Sequence, residues 1–143
     1  MKYLGREKSE QAGMQNVIVI GENAAQTERA TNALISFFRL IDRKLNITRF
    51  SSYIDILNSD LPDRTLVISS ESALQNQSDL QYLKALKNKF RTATIVHAYQ
   101  KFAPIHMDDM IIKATNKFVK EDVLFEQNLE KSLSILFARK PKN

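Results

Sequence analysis

Residues 16–20 (NVIVI), 65–69 (TLVIS) and 93–98 (ATIVHA) decide the fold of this chain. Each is a short β-branched run without apolar–polar alternation, the pattern of a strand buried on both faces. Helical spacing separates them. Across residues 24–44, Ala30, Ala33, Leu34, Phe37, Phe38 and Ile41 recur every three or four positions, which predicts a helix. Residues 47–50 read as a second, weaker strand. Ser51 or Ser52 caps a short helix through Leu57, and Asp60-Leu61-Pro62-Asp63 turns the chain. After TLVIS, Ser78 or Asp79 caps a helix with Leu80, Leu83, Leu86 and Phe90 on one stripe. A short helix over 107–115 follows ATIVHA, with Asp108 and Asp109 in its first turn, where the dipole favours them. Residues 118–120 form a fifth, very short strand. The last helix runs over about 122–137, with Phe125, Leu129, Leu133 and Leu136 facing inward.

Five strands alternating with five helices predict an α/β protein with a parallel sheet covered on both faces. Right-handed crossovers then place every strand C-terminus at one edge, where ligands bind in such sheets. Gly21-Glu22-Asn23, Ser69-Ser70-Glu71, His97-Ala98-Tyr99 and Lys120-Glu121 are expected to converge there.

The 143 residues suit one domain, and 43% hydrophobic with 26% charged residues is the ordinary globular balance. Cysteine is absent, which excludes disulfides, iron–sulfur clusters and thiolate zinc sites. Gly5, Gly13 and Gly21 are the only glycines, so a dinucleotide fingerprint, a Walker A loop and a nucleophile elbow are all excluded. His97 and His106 are too few for a three-histidine metal site, and neither metal nor cofactor is expected. No apolar run approaches the length of a membrane span or of a signal-peptide core, which predicts a cytoplasmic domain with no membrane partner.

The formal net charge is +5. Most of it lies in the ends. Residues 1–13 (MKYLGREKSEQAG) read as a flexible tail and 139–143, with Arg139, Lys140 and Lys142, as a basic tail or the start of a linker. The domain over 14–138 is close to neutral. Its basic clusters, Arg39, Arg43, Lys44 and Arg49, and Lys84, Lys87, Lys89 and Arg91, fall at predicted helix ends and lack interleaved aromatics. No direct nucleic-acid contact is expected of this domain.

The order and length of these elements over about 15–138 resemble a response-regulator receiver domain of the CheY-like family. The resemblance implies a flavodoxin/CheY-like doubly wound (βα)5 sandwich with strand order 2-1-3-4-5. In that family the first strand ends in two acids that hold Mg²⁺; the matching pair here is Gly21-Glu22. The third strand ends in the phospho-accepting Asp, matched here by Ser69, and a slip of one residue would substitute Ser70. The fourth strand ends in Thr or Ser, usually before Ala; here it is His97-Ala98. The fifth carries an aromatic switch residue and a Lys, matched by Phe118 and Lys120, with Glu121 where a Pro is usual.

The scaffold thus matches and the chemistry does not. Phosphoryl transfer to protein needs a carboxylate nucleophile and a metal to neutralise the phosphoryl oxygens. The resemblance implies a degenerate, phosphorylation-independent receiver that binds a protein partner or a second copy of itself. Lys120 is expected to pair with Glu22. The dimer or partner face, formed by the fourth helix, fifth strand and fifth helix, would carry Asp108, Asp109, Lys113, Lys117, Glu121, Asp122, Glu126 and Glu130. This would be the regulatory domain of a transcription regulator. The residues leave open a free-standing adaptor, a small-ligand-binding flavodoxin-like domain, and a hydrolase using Ser69 and His97 with Glu22.

Overall fold

The computed structural model describes residues 14–21, 24–58, 64–70, 77–89 and 93–137. In chain order these form β1 (Met14–Ile20), α1 (Ala24–Leu40), β2 (Lys44–Phe50), α2 (Tyr53–Leu57), β3 (Thr65–Ser70), α3 (Gln77–Lys89) and β4 (Thr94–Tyr99). A 3₁₀ turn at Pro104–His106, α4 (Asp109–Ala114), β5 (Lys117–Lys120) and α5 (Phe125–Leu136) complete the domain. The five strands make one sheet in the order β2-β1-β3-β4-β5, every neighbouring pair parallel. The expected architecture and strand order are therefore those observed.

Each inner strand divides its side chains between two cores. Val17, Val19, Leu66, Ile68, Val96, Ala98 and Val119 point to one side, where Leu34, Phe37 and Phe38 of α1 and Phe125, Leu129 and Leu133 of α5 cover them. Ile18, Ile20, Val67 and Ile95 point to the other, against Tyr53 and Ile56 of α2, Leu83 and Leu86 of α3, and Ile111 of α4. Double coverage explains the continuous runs in the sequence, since neither face of these strands meets water.

Several boundaries differ from the sequence reading. The first long helix stops at Leu40, not Lys44, because Asp42 takes a left-handed φ of 53° and the chain reverses there. The second strand accordingly starts at Lys44. It is an end strand whose exposed Lys44 and Asn46 alternate with half-buried Leu45 and Ile47, so its polar start was indistinguishable from a helix end. The last helix begins at Phe125 because residues 122–124 form a turn, in which the Asp122 carboxylate accepts the Leu124 N–H at 2.9 Å. The fourth helix is confined to Asp109–Ala114, with Asp108 as its N-cap. Ser52 does precede α2, but its hydroxyl bonds the Asp55 carboxylate instead of a backbone N–H. Both tails, the turn at 60–63 and Phe90 lie outside the described residues. Among the described residues no helix is long and apolar enough to cross a membrane.

Candidate functional site

The pleat sorts the strand-end residues into two groups that face opposite sides of the sheet. Ser69, His97 and Phe118 lie side by side in register on β3, β4 and β5, on the α2–α3–α4 side. Ser70 and Ala98 lie one residue further on and face α1 and α5, as Val119 of β5 does.

On the first side Ser69 and His97 are buried and Phe118 is half-buried. The Ser69 hydroxyl shares a short hydrogen bond with the Tyr53 hydroxyl, and both residues are fully enclosed. Burial pushes the Tyr53 phenol well above its usual range. His97 is 2% exposed, and its ring meets the Phe118 edge at a centroid distance of 6.1 Å. Its buried Nδ1 has no hydrogen-bond partner among the described residues. Desolvation lowers its pKa to about 4, so the imidazole is neutral at pH 7. Ser69 and His97 are register neighbours, yet the hydroxyl is turned to Tyr53, and no hydrogen bond joins it to the imidazole. A nucleophile–base couple is not assembled by this geometry.

On the second side three strand ends meet. The Ser70 hydroxyl donates to Glu121 Oε1 at 3.2 Å, reaching from the end of β3 past β4 to the residue after β5. Glu121 Oε2 accepts from the Gln100 side chain at 3.1 Å, and the Glu121 N–H bonds the Tyr99 carbonyl at 2.8 Å, which extends the β4–β5 ladder by one step. Gly21 closes on the pair from β1. A Cβ there would lie 3.0 Å from Ser70 Cβ and 3.2 Å from Thr27 Cγ2, a tight fit that favours glycine by close approach. The space enclosed by Val19, Ile20, Thr27, Ala30, Ile68, Ser70, Ala98, Glu121 and Phe125 is about 10 Å³, room for roughly one water.

The loop that carries Glu121 is tied to α1. Arg29 forks onto the Glu126 carboxylate at 3.0 and 2.6 Å, donates to the Asp122 carbonyl at 2.6 Å and lies 5.3 Å above the Phe125 ring. The hydrogen bond from Arg29 holds the Glu126 carboxyl below its ordinary pKa and raises that of the guanidinium.

Lys120 is exposed, and alternation along β5 puts it on the Phe118 side, away from Ser70. Glu22 and Glu71 lie outside the described residues, and with Glu22 goes the expected Lys120 pair. Of the expected partner face, Asp109 and Lys113 are exposed and pair with each other at 3.0 Å, and Asp108 Oδ1 caps α4 on the Met110 N–H. Lys117 is half-buried, and the Glu130 carbonyl accepts the Ser134 hydroxyl. Glu121 and Glu126 turn instead toward Ser70 and Arg29 of α1, and the Asp122 carboxylate accepts the Leu124 N–H of its own turn. Sequence reading missed Arg29, Tyr53 and the bridging role of Glu121. The signal for the last was an acid directly after the strand lysine, where the family resemblance expects proline. Among the described residues no group of three or more His, Asp or Glu side chains is placed to hold a metal ion.

No protein-family model and no curated protein sequence matches the chain. Solved structures do match. One described as a pilus assembly-related protein from Burkholderia pseudomallei superposes with a TM-score of 0.70 at 16% identity, over 91% of this chain and 94% of that one. A second, described as a pilus assembly protein from Burkholderia thailandensis, gives 0.67 at 15% identity over 88% and 100%. One described as a response regulator from Chloroflexus aurantiacus gives 0.65 at 16% over 87% and 98%, and further receiver domains follow. The chain has the CheY-like fold of the receiver domains.

Proposed function

We propose that this chain is an atypical, phosphorylation-independent receiver domain that works as a protein-interaction and dimerisation module in signal transduction, as the regulatory domain of a transcription regulator. The hydrogen bond from Ser70 to Glu121 carries this reading. The last residue of β3, where a receiver presents its carboxylate nucleophile, is a hydroxyl that donates into a carboxylate. A phosphoryl group arriving there would meet like charge on Glu121 and glycine at position 21, in a space of about 10 Å³. Phosphoryl transfer needs the opposite arrangement, a carboxylate nucleophile and positive charge around the phosphoryl oxygens.

A domain without that switch binds its partner constitutively or under another input. The face of α4, β5 and α5 is the surface proposed for it. Asp109 and Lys113 offer mixed charge there, and Ile112, Val123 and Leu124 are exposed on the same segments. Mixed signs suit a weak two-fold contact in which acids of one copy meet bases of the other. The two pilus-related neighbours favour a second form of the reading, in which the partner belongs to a pilus assembly apparatus.

Acetyl phosphate with Mg²⁺ should leave the intact mass of the protein unchanged, and sedimentation equilibrium should show a weak dimer at low salt that Asp109→Lys weakens. Addition of one phosphoryl group on Ser70 or Ser69 would overturn phosphorylation independence. A strict monomer at high concentration in low salt would overturn the self-association and leave a different protein as the partner.

A further inference from the structure

The strand β2 ends the sheet: β1 pairs with one side of it and, among the described residues, no strand lies on the other. Over its seven residues the outward N–H and C=O groups of alternate positions meet no backbone partner among the described residues, which leaves them for pairing with another chain. Alternation sends Leu45 and Ile47 to the α1 side, where Ile35 and Phe38 join them in lining a groove of about 390 Å³. Ile35 is 41% exposed there. The groove is cationic at its rim. Arg39 and Arg43 line it, and Arg49 follows Leu45 and Ile47 on the same face of β2. None of the three enters an ion pair among the described residues, and no acid is among the residues that line the groove.

A strand edge guarded only against aggregation carries charge and hides its apolar surface. Here charge and open apolar surface stand together. We propose that this edge takes an extended acidic–apolar segment of another protein, which adds to β2 as a sixth strand. Its alternate apolar side chains enter the groove over Leu45 and Ile47, and its carboxylates meet Arg39, Arg43 and Arg49. Main-chain hydrogen bonds supply affinity in such strand addition, and the alternate side chains supply selectivity. A second copy of this chain fits poorly, because a two-fold contact through β2 sets the same arginines against one another. The edge is separate from the α4–β5–α5 face, so the inference does not depend on the function proposed above.

The test uses the full chain and a fluorescein-labelled seven-residue peptide alternating Val and Glu, followed by fluorescence anisotropy. Saturable binding is expected, weakened by salt and absent for the peptide with Lys in place of Glu. The double variant Arg39→Glu, Arg43→Glu should bind about tenfold more weakly with an unchanged circular dichroism spectrum. N-methylation of alternate peptide amides should abolish binding while keeping every side chain. Equal binding of the Glu and Lys peptides, indifference to N-methylation, or no saturation at millimolar concentration would each overturn the proposal. So would a homodimer in which the β2 amides become protected from hydrogen exchange, since a second copy would then hold the edge.

Discussion

The hydroxyl of Ser70 and the carboxylate of Glu121 are joined at 3.2 Å across the end of β4, although their strands are not neighbours in the sheet. The bond links the ends of β3 and β5, and it puts a carboxylate beside a nearly buried serine. Its chemistry can be reversed by substitution. Ser70→Asp sets two carboxylates together, and like charges in a desolvated place disfavour mutual ionisation. We expect a loss of about 1–3 kcal/mol at pH 7. Adding Glu121→Lys should restore most of it by making an opposite-charge pair. Urea unfolding of both single variants and the double variant measures the coupling. Strict additivity would mean that positions 70 and 121 do not interact.

Gly21 makes the second prediction. A methyl group added there meets Ser70 Cβ at 3.0 Å and Thr27 Cγ2 at 3.2 Å. Ser70 Cβ is fixed to its strand and the branched Thr27 side chain is stiff at χ1, so the neighbours must give by a few tenths of an ångström. Gly21→Ala should cost about 1–3 kcal/mol by overpacking, even though alanine suits an ordinary strand end better than glycine. Thermal unfolding decides it. An unchanged midpoint would show that the β1 and β3 ends are loosely apposed.

These two residues also mark where sequence reading stops. The runs NVIVI, TLVIS and ATIVHA disclose buried parallel strands, and alternation with helices then discloses the sheet. Burial on both faces removes the phase. When all six residues of β3 are buried, nothing in the run says whether Ser69 or Ser70 faces α1. The four residues of β5 leave the same ambiguity between Lys120 and Glu121. Arg29 was hidden for another reason: its partner Glu126 is 97 residues away, and only the packing of α1 on α5 brings the two together.

The fork from Arg29 gives the third prediction. Both side chains of the pair remain about a third or more exposed, so solvent screens their attraction. Arg29→Ala should therefore cost only about 1 kcal/mol, including the packing lost over Phe125. Arg29→Lys should recover little, because an ammonium cannot bond both carboxylate oxygens and the Asp122 carbonyl in one plane. Hydrogen exchange at the Leu124 and Phe125 amides should quicken in both variants. Full retention of protection in Arg29→Lys would show that charge alone holds the loop.

The buried imidazole of His97 makes acid stability the last prediction. Desolvation lowers its pKa to about 4 from an ordinary 6.5, and no carboxylate is among the causes of that shift. As pH falls the unfolded chain takes up the proton first, so the contribution is whole above 6.5 and is lost between 6.5 and 4. Within that window stability should fall by about 1.4 kcal/mol per pH unit from this one group. Glu126, with a lowered pKa, contributes stability that is lost only as pH drops below about 4.5, so the interval from 6.5 to 5 isolates the histidine. His97→Leu removes both the proton site and a buried Nδ1 that has no partner among the described residues. At pH 7.5 that variant should lie within about 1 kcal/mol of the parent. At pH 5 it should be relatively more stable by about 2 kcal/mol, because only the parent pays the protonation cost. Urea unfolding from pH 7.5 to 5 measures the difference. Parallel profiles for the two proteins would mean that His97 binds its proton in the folded state as readily as in the unfolded one.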